Sequence, residues 1–175
     1  MKTLKQEIVI NAPPERVFNY VDDIYHTGWH MSKSSMPMMG SSLKLEILSK
    51  NSTGQGAVYR WSGKIMGLTM DFSEIVTKWV KNKERVWKTI DQPKIIIMSN
   101  YEMWFFTDPI GKNTKLTFGL SYDLPKNVFG FILGFLLADW YSKWCLNNMC
   151  QGAKDALENT SEKQHSVHAQ AQKTL

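Results

Sequence analysis

The stretch Glu7-Ile8-Val9-Ile10-Asn11-Ala12-Pro13-Pro14-Glu15-Arg16-Val17-Phe18-Asn19-Tyr20-Val21-Asp22-Asp23 decides the architecture of this chain. A short β-prone run, Glu7 to Ile10, stops at two prolines. The residue before a proline avoids the helical region, so Ala12 and Pro13 are expected to be extended. Pro14 suits the first turn of a helix, and Glu15 sits favourably at the positive helix end. Val17, Tyr20, Val21 and Ile24 recur at helical spacing and make one apolar face. The far end of the chain answers with a long aromatic-rich helix. That order predicts an α+β fold: a curved antiparallel sheet of about seven strands wrapped around the last helix, with short helices between the first two strands.

Between the two ends the rhythm has period two. Leu43, Leu45 and Ile47 alternate with Lys44 and Glu46. Tyr59 and Trp61 share one face, with Arg60 and Ser62 on the other. Met70 and Phe72 are in phase within the strand Leu68 to Trp79. Strands follow at Arg85 to Ile90, Ile95 to Thr107 and Lys115 to Tyr122, the second placing Tyr101, Met103 and Phe105 opposite Glu102. Asn51 to Gly54, Lys81 to Lys83, Asp91 to Pro93 and Asp108 to Asn113 carry turn residues. Consecutive strands with short turns predict an antiparallel meander. Tyr25 to Gly40 is expected to be a short helix or crossover, with Ser32 to Ser42 a mobile loop.

Pro125 ends the sheet and opens the last helix. Val128 to Ala138 is apolar all round. Beyond it Trp140, Tyr141, Trp144, Cys145, Met149, Ala153, Ala156 and Leu157 are expected to face inward, with Asp139, Lys143, Asn147, Gln151, Lys154 and Glu158 outward. Asn159 to Leu175 has no apolar period and is expected to be a disordered tail, leaving residues 1–158 as a single ligand-binding domain.

At 175 residues and 20.2 kDa the chain can bury a core without metal or disulfide support. The net charge of +5 is mild and local: Lys78, Lys81, Lys83, Arg85, Lys88 and Lys94 outnumber Glu84 and Asp91. This pattern reads as a solvated hairpin and not as a nucleic-acid site, with an anionic membrane surface as the alternative reading. The 7 Trp and 10 Met are either core material or the lining of an adaptable cavity. Cys145 and Cys150 are five apart on one helix, which disfavours a disulfide and suggests a reducing, cytoplasmic setting. The polar start has no signal-peptide core, and Val128 to Ala138 is too short to span a bilayer.

His26 and His30 would share a helix face, but a metal site needs further ligands, so both are read as structural and no metal is expected. Glu102 and Asp139 are the carboxylates set among apolar residues. Either would be a candidate base if buried, and both are expected to face solvent. By parity Arg60 also points away from the pocket. Gly130 and Gly134 allow close helix packing. There is no phosphate loop, nucleophilic triad, Cys-x-x-Cys pair or dinucleotide fingerprint, so no cofactor is expected.

The chain resembles the SRPBCC superfamily, the helix-grip fold of START lipid-transfer domains, plant allergen-type binders, coenzyme Q-binding chaperones and polyketide cyclases. The matching residues are Ile8-x-Ile10-x-Ala12-Pro13-x-Glu15-x-Val17-Phe18-x-Tyr20-Val21, then Trp29, Tyr59 to Gly63, Thr114 to Phe118, and the final helix with Leu157-Glu158. The resemblance spans about residues 3 to 158 and implies the fold more than the function, since carriers, regulators and enzymes share it. Val128 to Ala138 is greasier than such a helix needs, which points to lipid, membrane contact or a homodimer.

The leading expectation is a non-catalytic carrier of a small hydrophobic molecule or lipid. Its ligand-binding residues are expected to be Trp29, Tyr59, Trp61, Met70, Phe72, Tyr101, Met103, Phe118, Tyr122, Phe135, Leu136, Trp140 and Trp144. Trp29 to Met39, with Met31, Met36, Met38 and Met39, is expected to be a gate. A cyclase or aromatase using the same cavity is the second reading, with His30, Tyr101 or Tyr122 as acid or base. The third is a membrane-surface or partner-binding module.

Overall fold

The structure is a computed structural model that describes residues 1–28, 42–65 and 68–171. Its elements are β1 (Lys2–Ile10), α1 (Pro14–Asp22), α2 (Ile24–Thr27), β2 (Ser42–Ile47), β3 (Val58–Ile65), β4 (Leu68–Val80), β5 (Glu84–Lys94), β6 (Tyr101–Ile110), β7 (Asn113–Tyr122) and α3 (Val128–Ala171). All strand pairs are antiparallel, and the sheet order is β1-β7-β6-β5-β4-β3-β2. Strands β2 to β7 are therefore a meander. β1 joins at the β7 edge, so the chain must cross the sheet between its first two strands. This is the helix-grip arrangement the sequence predicts.

The double proline works as expected. Pro13 is extended and α1 starts on Pro14. The corner is tied to the sheet by the Thr114 hydroxyl, which donates to the Ala12 carbonyl at 2.7 Å. The buried face of α1 is Val17, Phe18 and Val21 with the end of Asp22, while Tyr20 is half-buried. Phe18 is the pivot. Its ring meets Phe105 at 5.5 Å and Trp79 at 5.7 Å, both edge-on. Phe105 in turn meets Phe118 at 5.5 Å and Trp87 at 6.2 Å, which makes it the hub of the core.

Two boundaries differ from the sequence reading. Asp91 to Pro93 is not a turn. Asp91 takes a left-handed φ of 61° and the register against β4 shifts between Asp71 and Ser73, so the segment is a bulge inside β5. The reversal comes later, at Ile95 to Asn100, a run too apolar to read as a loop. Second, the β6–β7 connection is only Gly111-Lys112, since Ile110 already pairs with Asn113. Gly111 supplies the positive φ of 59° that this tight hairpin needs.

The largest correction concerns α3. Between Val128 and Ser142 the helix turns its smallest residues inward: Gly130, Gly134, Ala138 and Ser142 are buried, four apart. A Cβ on Gly134 would lie 2.5 Å from the Ile97 carbonyl oxygen, so close approach excludes any side chain there. From Cys145 onward the buried stripe is Cys145, Leu146, Met149, Cys150, Ala153 and Leu157. Helical backbone continues to Ala171, through the segment read from sequence as a tail.

Candidate functional site

Strand alternation turns one side chain in two toward the concave face, and this rule admits charged residues as readily as apolar ones. On β4 the inward set is Met70, Phe72, Glu74 and Val76, all buried. On β5 it includes Arg85 and Trp87, and on β6 Tyr101, Met103 and Phe105. Two ionisable residues thus enter an aromatic interior, Glu74 at 2% and Arg85 at 1% exposure.

Glu74 is held from two sides. The Trp61 indole N–H donates to its Oε2 at 2.9 Å, and the Tyr101 hydroxyl donates to its Oε1. Thr89 fixes the Tyr101 backbone, accepting from its N–H at 3.2 Å and donating to its carbonyl at 3.3 Å. The Phe72 ring meets Tyr101 edge-on at 6.0 Å. Burial pushes the Glu74 carboxyl above the usual carboxylate range, against the opposing pull of Tyr101, Trp61 and Arg85. Burial, and then the facing carboxylate, push the Tyr101 phenol well above its ordinary value. From α3, Cys145 faces the same group, its thiol pushed up to about 12 by burial and then by Glu74.

Arg85 lies between two rings, 5.3 Å from the centroid of Tyr59 and 4.9 Å from that of Trp87. Its Nη1 donates to the Asp22 carbonyl at 2.6 Å and to Asp22 Oδ1 at 3.2 Å, while Nε and Nη2 have no hydrogen-bond partner. Asp22 Oδ2 also accepts from the Trp79 indole at 3.0 Å. Arg85 therefore joins α1 to the sheet. It is no part of the basic surface to which its charge assigned it. Beyond it, Asp22 and Trp79 border an open cleft of about 410 Å³ with Asn19, Asp23, Ile24, Tyr25, Ser52 and Thr53.

Of the residues expected to bind ligand, Tyr59, Trp61, Met70, Phe72, Tyr101, Met103, Phe118 and Tyr122 are all buried. They divide by depth. Tyr59 and Phe118 are wholly enclosed, and the Tyr59 hydroxyl donates outward to the Ser52 carbonyl at 2.6 Å. Met70, Phe72, Tyr101 and Met103 keep 5–8% exposure. The Tyr122 hydroxyl donates to Asp139 Oδ1, whose Oδ2 takes Lys2. Asp139 is thus engaged, and not simply solvated as expected. Lys2 and then Tyr122 hold its carboxyl below the usual range.

Phe135, Leu136 and Trp140 do not roof the concave face. They are 72%, 64% and 56% exposed, because the small-residue stripe takes the inward position. Trp144 is half-buried beside Tyr141, with the rings 5.7 Å apart. Trp29, His30 and the methionines of the expected gate lie outside the described residues. His26 stacks on Tyr20 with centroids 4.3 Å apart, and its Nδ1 lies 3.1 Å from the Tyr20 carbonyl. Among the described residues no three His, Cys, Asp or Glu side chains gather to hold a metal ion. Sequence reasoning missed Glu74 and Arg85, although Glu74 is two residues from Phe72 and Arg85 two from Trp87.

The family model described as polyketide cyclase / dehydrase and lipid transport matches residues 1–149. The chain belongs to that family. No curated protein matches it. Among solved structures it is similar to norcoclaurine synthase from Thalictrum flavum in complex with dopamine and hydroxybenzaldehyde. The TM-score there is 0.64 at 11% identity, covering 90% of this chain and 87% of that one. The Zhui aromatase/cyclase from Streptomyces sp. R1128 gives 0.62 at 12% identity, covering 88% and 94%. A START superfamily protein from Mycobacterium smegmatis gives 0.57 at 17% identity, covering 89% and 98%. These likenesses establish the fold.

Proposed function

We propose that this member of the polyketide cyclase / dehydrase and lipid transport family holds a small hydrophobic molecule against its concave face without transforming it. One observation carries the reading: Met70, Phe72, Tyr101 and Met103, on the inward side of β4 and β6, keep 5–8% exposure, and Tyr101 is tied there to the buried carboxyl of Glu74. Apolar side chains supply the affinity by leaving water, at about 25 cal/mol per Å² buried. A polar group among them fixes the guest's orientation. The two methionines supply surface that adapts to a flexible guest.

Glu74 also favours a second reading. A buried carboxyl with a raised pKa beside a phenol is a candidate acid–base pair, and a ring-closing enzyme would need one. The carrier reading is preferred because Trp61 and Tyr101 already engage both Glu74 oxygens. Each oxygen keeps a second lone pair that a guest's donor can use, but the carboxyl is already committed to holding Trp61 and Tyr101 in place.

Native mass spectrometry of the gently purified protein tests the proposal. The expected result is a co-purifying apolar adduct that is lost from Met103→Trp, where the larger ring fills the space. A bare polypeptide mass, together with no displaceable binding of a polarity-sensitive dye, would overturn it. Release of the adduct in chemically altered form, blocked in Glu74→Gln, would favour the enzyme.

A further inference from the structure

The geometry points to the first turns of α3 as a docking face for the surface of an anionic lipid bilayer. Val128, Phe129, Phe131, Ile132, Phe135, Leu136 and Trp140 are 49–77% exposed. At 100° per residue they fill a continuous arc of about half the helix circumference. Single exposed apolar residues are ordinary, but a large contiguous apolar patch, here interrupted only at its far end by Asp139, marks an interaction site. The Phe131 and Phe135 rings are neighbours in this patch, with centroids 6.5 Å apart and planes 17° from parallel.

The charges around this face decide its partner. Lys126 precedes the face and Lys143 follows it, both exposed. No acidic residue lies in the first turn. The two nearest carboxylates are already paired, Asp123 with the N-terminal amine at 3.2 Å and Asp139 with Lys2. Trp140 sits at the polar end, where an indole suits the headgroup level. The alternative of a second copy meets an electrostatic objection. Two such helices packed antiparallel across a two-fold axis would set Lys126 of one against Lys143 of the other. Anionic headgroups satisfy both lysines. The apolar run is about 20 Å long, enough to lie in the interface. No helix among the described residues is long and apolar enough to cross a membrane.

Flotation of the full chain with vesicles tests this, using phosphatidylcholine alone and phosphatidylcholine mixed with phosphatidylglycerol. The protein is expected to float with the mixed vesicles and less with the neutral ones. Phe131→Ser/Phe135→Ser, checked for an unchanged circular dichroism spectrum, should cut partitioning about tenfold or more, since two buried rings are lost. Lys126→Glu/Lys143→Glu should lose only the preference for anionic lipid. On binding, a blue shift in tryptophan emission is expected that Trp140→Phe reduces. The proposal is overturned if the wild type stays with the lipid-free fraction in both mixtures, or if the double serine variant floats unchanged. It is also overturned by a dimer in solution that those serines dissolve while vesicles have no effect, which would assign the face to a second copy.

Discussion

Tyr101 on β6 donates its hydroxyl hydrogen to Glu74 on β4, across the intervening strand β5. The pair joins strands that do not touch through backbone hydrogen bonds, and both residues are buried, Glu74 the more deeply. A buried carboxylate stripped of one donor bears the full cost of desolvation. Tyr101→Phe is therefore expected to destabilise the fold by about 2 kcal/mol, read by urea unfolding. An unchanged midpoint would mean that water or another donor serves Glu74.

The same carboxyl sets a pH dependence with a definite sign. Its folded pKa is raised, chiefly by burial. The fold binds the proton more tightly than the unfolded chain does. The contribution from this group is complete below the ordinary glutamate pKa and is lost as pH rises through the higher folded value. Glu74→Gln mimics the protonated form: its carbonyl accepts from Trp61 and its amide donates to the Tyr101 oxygen. Stability measured against pH should fall from the ordinary glutamate range upward in the wild type and lose that slope in Glu74→Gln. Parallel profiles would place the titration elsewhere.

The strand-to-helix corner at Pro13-Pro14 and the period-two middle were legible because local sterics and alternation dictate them. Glu74 was equally legible by phase, two residues from Phe72, but its charge argued for the surface and phase had to be trusted over polarity. Arg85 shows the converse. A count of lysines and arginines along a hairpin says nothing about which face each occupies, and Arg85 shares the inward phase of Trp87. The face of α3 was not legible at all from hydrophobicity, because Val128 to Ala138 is apolar all round. Size decided it: Gly130, Gly134, Ala138 and Ser142 let the helix come close, and the large residues were displaced outward. The apolar run Ile95 to Met98 read as strand and is the β5–β6 connection, since α3 covers it at Gly134.

Arg85 tests how α1 is attached. Its guanidinium is 1% exposed and reaches both the backbone and the carboxylate of Asp22. Arg85→Ala leaves Asp22 with Trp79 alone and opens space between Tyr59 and Trp87. Breaking a buried ion pair from one side costs about 3–5 kcal/mol. Asp22→Asn should cost less, because the Asp22 carbonyl still accepts from Nη1. Denaturant midpoints in the opposite order would show that the ring contacts, and not the ion pair, hold the arginine.

Two glycines admit a sharper comparison, because what lies over each differs in how far it can yield. At Gly134 an added Cβ meets the Ile97 carbonyl oxygen at 2.5 Å, and that oxygen belongs to the backbone. At Gly119 on β7 the obstacle is the Trp104 ring, 2.2 Å from the ideal Cβ. The nominal overlap is larger at Gly119, yet Trp104 is a half-buried side chain on the outer face and can swing aside. Gly134→Ala gains about 1 kcal/mol of helix propensity, against an overpacking cost of about 1–3 kcal/mol. We expect Gly134→Ala to be the more destabilising of the two in thermal unfolding, and to increase hydrogen exchange across Ile95 to Asn100, since α3 must lift from that connection. A larger loss from Gly119→Ala would mean that the Trp104 ring is as fixed as backbone.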